Sequence, residues 1–356
     1  MDILELRKTL HDLPEKSFAE VKTRECLENW LRENTDFTVI DCENWFYAVK
    51  KGGNRPAMAF RADMDAVCGS DNKAGHYCGH DGHCAILAGL AQQLSKQTLP
   101  GDVYLLFQPA EEIGKGALVC RPLLKEKHIT EIFGMHNIPG WKKGTVLLRT
   151  GAFACGSTGL RIRLTGTVSH AAYPERGKNP GIALADILLF ADSRAKEIRK
   201  QDFLMMTVIG ADIGSSAYGV SAGDGEIRMT VRAEREEVFR AFLQELKAKA
   251  KACAKEGGFF LDWEEIEYFP ATENHKASVE RVRQAALLEG LQIEELKEPM
   301  RWSEDFGYYL QDISGAFLGI GDGETYPQLH TSEFSFPDEI LDTAVGLFAR
   351  LAMQEC

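Results

Sequence analysis

Hydrophobic positions in the first 150 residues follow two different periods. Residues 2–34 space their apolar side chains three and four apart, which predicts an amphipathic helix broken near Pro14. Short apolar runs at 45–50, 57–61, 103–107 and 131–135 read as strands. Between the second and third of these, "GHCAILAGLAQQLSKQ" places Ile86, Leu87, Leu90 and Leu94 on one helical face. Asp81, just ahead of it, is the expected N-cap. Strands separated by helices predict an α/β domain whose mostly parallel sheet lies between helices.

The middle third is ordered differently. "GLRIRLTGTV" alternates as a strand does, and "PGIALADILLFADSRAKEIRKQ" is a helix opening on Pro180. "FLMMTVIGADI" and "GEIRMTVRAE" follow as strands, then the long amphipathic "EEVFRAFLQELKAKAKACAKEGG", then "FFLDWEEIEYF". This β-α-β-β-α-β order is that of a ferredoxin-like α+β domain. After Pro270 the chain returns to helix, loop and strand ("HKASVERVRQAALLEG", "GAFLGIG") and ends on a helix from about Asp338. That tail is too short for a second parallel domain. The expected organisation is therefore one domain from 1–151 and 269–356, interrupted by a ferredoxin-like insertion over 152–268. The strand at 203–213 would be the natural edge for pairing with another chain.

Composition narrows the function. The chain has 356 residues, 44% hydrophobic and 26% charged, with a formal charge of −12. An acidic chain without a basic stripe argues against nucleic acid. No apolar run approaches the ~18–20 residues of a membrane span. The opening "MDILELRKTLHDLPEK" lacks the pattern of a secretion signal. Nine scattered cysteines without a CxxC pair suggest reduced thiols and a cytoplasmic location.

The chemistry concentrates in "GHYCGHDGHCAIL", where His76, Cys78, His80, His83 and Cys84 crowd into thirteen residues. Such clustering signals a metal, a redox centre or chance. Asp63 and Asp65, Glu111 and Glu112, His136 and His330 each fall just beyond a predicted strand, at the edge where open α/β sheets hold ligands. Singly, each has an ordinary reading as a capped loop, a solvated pair or a structural histidine. Together they supply thiolate, imidazole and carboxylate to one sheet edge, and this favours metal. Adjacent glutamates point different ways in extended backbone, so one can bind metal while the other takes a proton from water. Two divalent ions with a free carboxylate are a set of parts for hydrolysis.

The stretches "LHDLPEKSFAE", "RADMDA", "CGHDGH", "FQPAEE", "GMHNIPG", "GTVSHAAYPERGKNP", "SEDFGYYL" and "LHTSEFSFPDE" occur in this order. Together they resemble the two-metal aminoacylase/carboxypeptidase-G-like metallopeptidase family, and within it the N-acyl-amino-acid amidohydrolases such as hippurate and auxin-conjugate hydrolases. The resemblance implies a catalytic α/β domain interrupted by a ferredoxin-like lid that mediates homodimer formation. It implies Cys78 as a ligand shared by two ions, with His80, Glu112, His136 and His330 as the other ligands. It implies Glu111 as the general base, Asp65 as the support that orients a ligand histidine, and His170 as the group that stabilises the oxyanion. His76 and His83 are then loop and helix-start residues. Thiolate and imidazole suit zinc, and carboxylates also accept manganese, with cobalt or nickel possible.

Three stretches depart from the family pattern. "VCGSDNKAG" is short after "RADMDA", "SSAYGVSAGDGE" (215–226) lacks a substrate-holding asparagine, and Trp302 stands where small residues are usual. The implied substrate is a small N-acyl amino acid or peptide amide. A silent binding or sensor protein on the same fold is the alternative, and retention of both Glu111 and Glu112 favours hydrolysis.

Overall fold

The computed structural model describes residues 1–69 and 73–354. Residues 70–72, within the shortened "VCGSDNKAG" stretch, and Cys356 lie outside the described residues. The chain divides into two compact units: residues 1–153, 272–299 and 304–356, and residues 154–271 with 300–303.

The first unit is built on an eight-stranded sheet. Its strands run in the order Thr38–Asp41, Phe46–Lys50, Gly101–Gln108, Arg55–Asp63, Ile129–Pro139, Ser314–Gly323, Val146–Leu148 and Ile293–Glu295. The four strands from Gly101–Gln108 to Ser314–Gly323 are mutually parallel, so their carboxyl ends share one edge. Each of these four is almost wholly buried, as expected of strands covered on both faces. The N-terminal segment forms two helices, Ile3–His11 and Val21–Asn34, and residues 12–20 between them are not helical.

The helix His80–Ser95 is apolar on all sides because it is buried on all sides. It packs against the Arg55–Asp63 strand and against the helices Ile3–His11, Val21–Asn34 and Leu341–Met353. Each fully buried Leu or Ile on it contributes roughly 1.5–3 kcal/mol. Asp81 is not its N-cap. Gly79, at φ +99°, occupies that position, and Asp81 turns inward from the first turn to meet His11 Nδ1 at 2.7 Å. Arg7 lies on the same carboxylate, and a buried charge takes these partners in preference to the helix end.

The second unit is a four-stranded antiparallel sheet in the order Leu204–Ile213, Asp224–Ala233, Gly156–Thr165, Phe260–Phe269. The helices Gly181–Ile198 and Glu236–Gly257 pack on it. Phe239, Phe242, Leu243, Leu246, Ala250 and Cys253 recur at helical spacing and are buried. Gly258, in the left-handed conformation at φ +63°, ends that helix. Among the described residues, no helix is long and apolar enough to cross a membrane.

Candidate metal centre

The parallel edge of the first unit gathers the expected donors. Cys78 comes from the turn before the helix His80–Ser95, and His80 opens that helix. Glu111 and Glu112 follow the Gly101–Gln108 strand. His136 lies inside its strand rather than beyond it, because pairing with Ser314–Gly323 carries the ladder through to Pro139. His330 sits on the loop after Ser314–Gly323, in the left-handed region at φ +63°, its N–H donated to the carbonyl of Tyr77 at 2.8 Å.

These side chains converge. Cys78 Sγ is 3.3 Å from His136 Nε2 and 3.3 Å from His330 Nε2. Glu112 Oε1 is 3.8 Å from His80 Nε2 and 3.6 Å from His330 Nε2. Two compact donor groups result, one of Cys78, His80 and His136 and the other of Cys78, Glu112 and His330, with the sulfur common to both. Glu111 stands with His80 and Glu112 in a third.

Divalent metal fits this donor set. His80 Nε2 and Glu112 Oε1 are buried polar atoms with no hydrogen-bond partner, a rare condition in a folded protein. His80 Nδ1 is 2.8 Å from the Asp65 carbonyl and His136 Nδ1 is 2.7 Å from that of Asn137. Donation there leaves each Nε2 lone pair for a cation. Burial lowers the pKa of His136 well below the ordinary histidine value, helped by His83 and His80. Burial, with His80, lowers that of His330. A ligand histidine must be neutral, and both are held so. Burial opposes charging of His80, but Asp63 and Cys78 outweigh it and raise its pKa well above the ordinary value. A metal ion would take the place of that proton.

Burial also raises the carboxyl groups. Glu112 is pushed up to about 7. Glu111 is raised well above its usual range, by burial first and then by Glu304, Glu112 and Asp305. Asp65 is the hub beneath both: its carboxylate accepts the N–H groups of Glu111 and Glu112, each at 3.1 Å, while its carbonyl faces His80.

His83 lies beside the donor set but is engaged elsewhere. Its Nδ1 lies 2.6 Å from Asp63 Oδ1 and its Nε2 2.8 Å from Asn137 Oδ1, so both ring nitrogens are occupied. His76 is a buried loop residue. His170 belongs to the second unit, on the short strand Ser169–His170 that pairs with Val220–Ser221. Its Nδ1 accepts the Ala172 N–H at 3.0 Å, which places the ring hydrogen on Nε2. The 215–226 segment thus supplies His170 with its strand partner, while Tyr218 stands fully exposed. Trp302 belongs to the short stretch 300–303, whose backbone and Ser303 hydroxyl accept from Arg232.

A buried ionic cluster behind Glu111 is not apparent from residue spacing. Arg61 donates to Gln108 at 2.8 Å, Asp63 at 2.7 Å, Glu304 at 2.9 Å and Asp305 at 2.9 Å. Its signal in the sequence is a charged residue inside an otherwise apolar strand, "AMAFRAD", where a charge must be paired.

Residues 59–354 match the sequence pattern of peptidase family M20/M25/M40. The chain is 28% identical to an N-acetylcysteine deacetylase of Bacillus subtilis, over 99% of this chain and 96% of the relative. It is 27% identical to a hippurate hydrolase of Campylobacter jejuni, over 98% and 95%. Among solved structures, a Bacillus subtilis protein described as a dinuclear metal-binding peptidase of the M20 family superposes with a TM-score of 0.84 at 27% identity, covering 99% of this chain and 96% of that one.

Proposed function

The chain belongs to peptidase family M20/M25/M40 and is a hydrolase of amide C–N bonds, and from that premise we propose that it deacylates a small N-acyl amino acid or cleaves a small peptide amide. The observation that carries this reading is the shared sulfur. Cys78 lies equally close to His136 and His330, beside His80 Nε2 and Glu112 Oε1, which make no hydrogen bond. We assign Cys78, His80, Glu112, His136 and His330 as ligands of two ions, zinc or manganese by donor chemistry. Two such ions acidify water and polarise an amide carbonyl.

The chain's own residues do the rest. Glu111 takes the proton from water as the water oxygen bonds to the carbonyl carbon, from a position beside His80 and Glu112. His170, with its hydrogen on Nε2, donates to the oxyanion. When the C–N bond breaks, Glu111 returns its proton to the leaving nitrogen. Asp65 keeps both glutamates and His80 in register.

We assign homodimer formation to the second unit. Its edge strand Leu204–Ile213 exposes Val208, Ile209 and Ile213, and the helix Gly181–Ile198 exposes Ile182 and Leu189. Eight free cysteines among the described residues support a reducing, cytoplasmic setting.

The test is incubation of zinc- and manganese-loaded protein with a panel of N-acyl amino acids and dipeptides, following both product halves by mass spectrometry. Matched release of acid and amine is expected, and Glu111→Gln should abolish it with metal content intact. Two bound metals without release from any panel member would favour a binding role. Full activity of Glu111→Gln would remove Glu111 from the mechanism.

A further inference from the structure

We propose that residues 12–20, between the first two helices, form a strap that positions the turn carrying Glu111 and Glu112, with Glu20 and Ser17 as its two positioning residues. The inference rests on the roles assigned above to those two glutamates.

Three contacts run from this one segment to two loops of the candidate site. Glu20 Oε1 accepts the Ala110 N–H at 2.8 Å, Ser17 Oγ donates to Asp65 Oδ2 at 2.7 Å, and the Glu15 carbonyl accepts the Ala66 N–H at 2.8 Å. Ala110 is the residue from which the glutamates issue. It is fully buried and left-handed at φ +52°, a conformation that a side chain disfavours. Its carbonyl accepts the Gly116 N–H at 3.1 Å, closing the turn around Glu111 and Glu112. A strained residue persists only where its surroundings over-determine it, and the Glu20 carboxylate does so at Ala110.

Ser17 acts at the second loop. Asp65 Oδ2 accepts both the Ser17 hydroxyl and the Glu112 N–H, and Oδ1 accepts the Glu111 N–H. Fixing that carboxylate therefore fixes both glutamate backbones at once.

An ordinary helix connection does not account for this arrangement. Glu20 precedes the helix Val21–Asn34, where a polar side chain would normally cap its own helix, yet Glu20 makes no cap bond and the Thr23 N–H goes to Glu15 Oε2 at 2.9 Å. The carboxylate is directed to Ala110 instead. It is 5% exposed, and burial, followed by the charge of Asp65, pushes its pKa up to about 7. A loop has no need to bury a carboxylate at that cost unless the contact serves something.

The test uses cobalt(II) on metal-stripped protein, read by visible d–d absorption and by calorimetry, so that it does not depend on a known substrate. Wild type should take up two ions. Glu20→Ala and Ser17→Ala should bind one of the two about 10–100-fold more weakly, the range expected when the support of a metal ligand is removed. Glu20→Gln should restore most of that loss, because its amide oxygen still accepts the Ala110 N–H. Thr35→Val is the control. It removes the Thr35 hydroxyl bond to the Leu31 carbonyl at the far end of the second helix, a contact that involves none of residues 12–20. It should bind cobalt as wild type does. On any substrate found, the two strap variants should lower kcat with KM little changed.

Wild-type binding of both ions by folded Glu20→Ala and Ser17→Ala would overturn the proposal, as would an equal loss in Thr35→Val. If Glu20→Ala does not fold, Ser17→Ala decides. Failure of wild type to take up two cobalt ions would instead overturn the two-metal reading, and the strap with it.

Discussion

Replacing Arg61 with Met tests the buried cluster behind Glu111. Arg61 is 2% exposed, and its guanidinium meets three carboxylates, Asp63, Glu304 and Asp305, each of them 0–1% exposed. Methionine fills a similar length without charge, so little packing is lost. Gln108 Oε1 keeps the Tyr309 hydroxyl at 2.8 Å and is not orphaned. The cost is therefore electrostatic. Removing one partner of a buried ionic set costs about 3–5 kcal/mol, because the remaining charges stay desolvated. Asp63 is held well below the usual carboxylate range, against burial, by His80, Arg61 and His83, while burial pushes Asp305 up to about 8 although Arg61 pulls it down. In Arg61→Met both carboxyl groups must rise. A carboxyl whose pKa is higher folded than unfolded destabilises increasingly as pH climbs above the unfolded value, and the penalty disappears below it. Relative to wild type, a carboxyl adds to the loss only between its wild-type and its variant pKa, so the Asp305 part should be absent at about pH 6 and appear at about pH 9, past its wild-type value of about 8. The assay is urea unfolding of chelator-stripped wild type and variant at the two pH values, followed by circular dichroism. A loss below ~1 kcal/mol at the higher pH, or an equal loss at both, would refute the reasoning.

Other perturbations follow from the same geometry. Gly79→Ala forces a side chain into φ +99° with its Cβ 2.4 Å from Asn137 Oδ1, so thermal unfolding should show a loss of at least ~1–2 kcal/mol and calorimetry a weaker metal affinity. Burial pushes Asp322 up to about 7, so wild-type stability contains a downward slope between the unfolded carboxylate range and about pH 7. Asp322→Asn should remove that part of the slope, and unfolding curves of unchanged pH dependence would show that Asp322 does not titrate there. Ile209→Lys places a charge on the exposed edge strand, where the side chain is 62% exposed. Sedimentation should then report a monomer with unchanged thermal stability if that edge joins two copies, and an unaltered dimer would exclude it.

Much of this architecture was legible in the sequence because the periodicities are strong. Alternation and helical spacing gave both the parallel sheet and the β-α-β-β-α-β unit, since in each the buried face sets the pattern. The crowding of His76 to Cys84 and the placement of Glu111, Glu112, His136 and His330 near strand ends point to the sheet edge, while the choice of Cys78, His80, Glu112, His136 and His330 as the ligand set comes from the family resemblance. What escaped was the consequence of tertiary partners. Asp81 resembles a cap in sequence, but Arg7 and His11, more than sixty residues earlier, claim its carboxylate. Arg61 inside an apolar strand signals a paired charge, but its partners Glu304 and Asp305 lie more than 240 residues later in the sequence. Ser17 and Glu20 fall within the stretch 2–34 that reads as a broken helix, and their bonds to Asp65 and Ala110 depend on tertiary placement.

The ferredoxin-like unit divides the proposed ligands in time as well as in sequence. Cys78, His80, Glu112 and His136 precede it, and His330 follows it. At ~5–20 residues per second of synthesis, roughly 10–40 s separate the emergence of His136 from that of His330. Through that interval an unfinished centre carries a thiol without its full complement of partners. Glu131 must also wait for Ser314 before the sheet can close. Prior folding of the second unit would bring Gly151–Ala154 beside Thr272–Asn274, shortening the loop to be closed. The insertion would thereby act as a clasp on the nascent chain, and the proposed capacity for two ions would be acquired last.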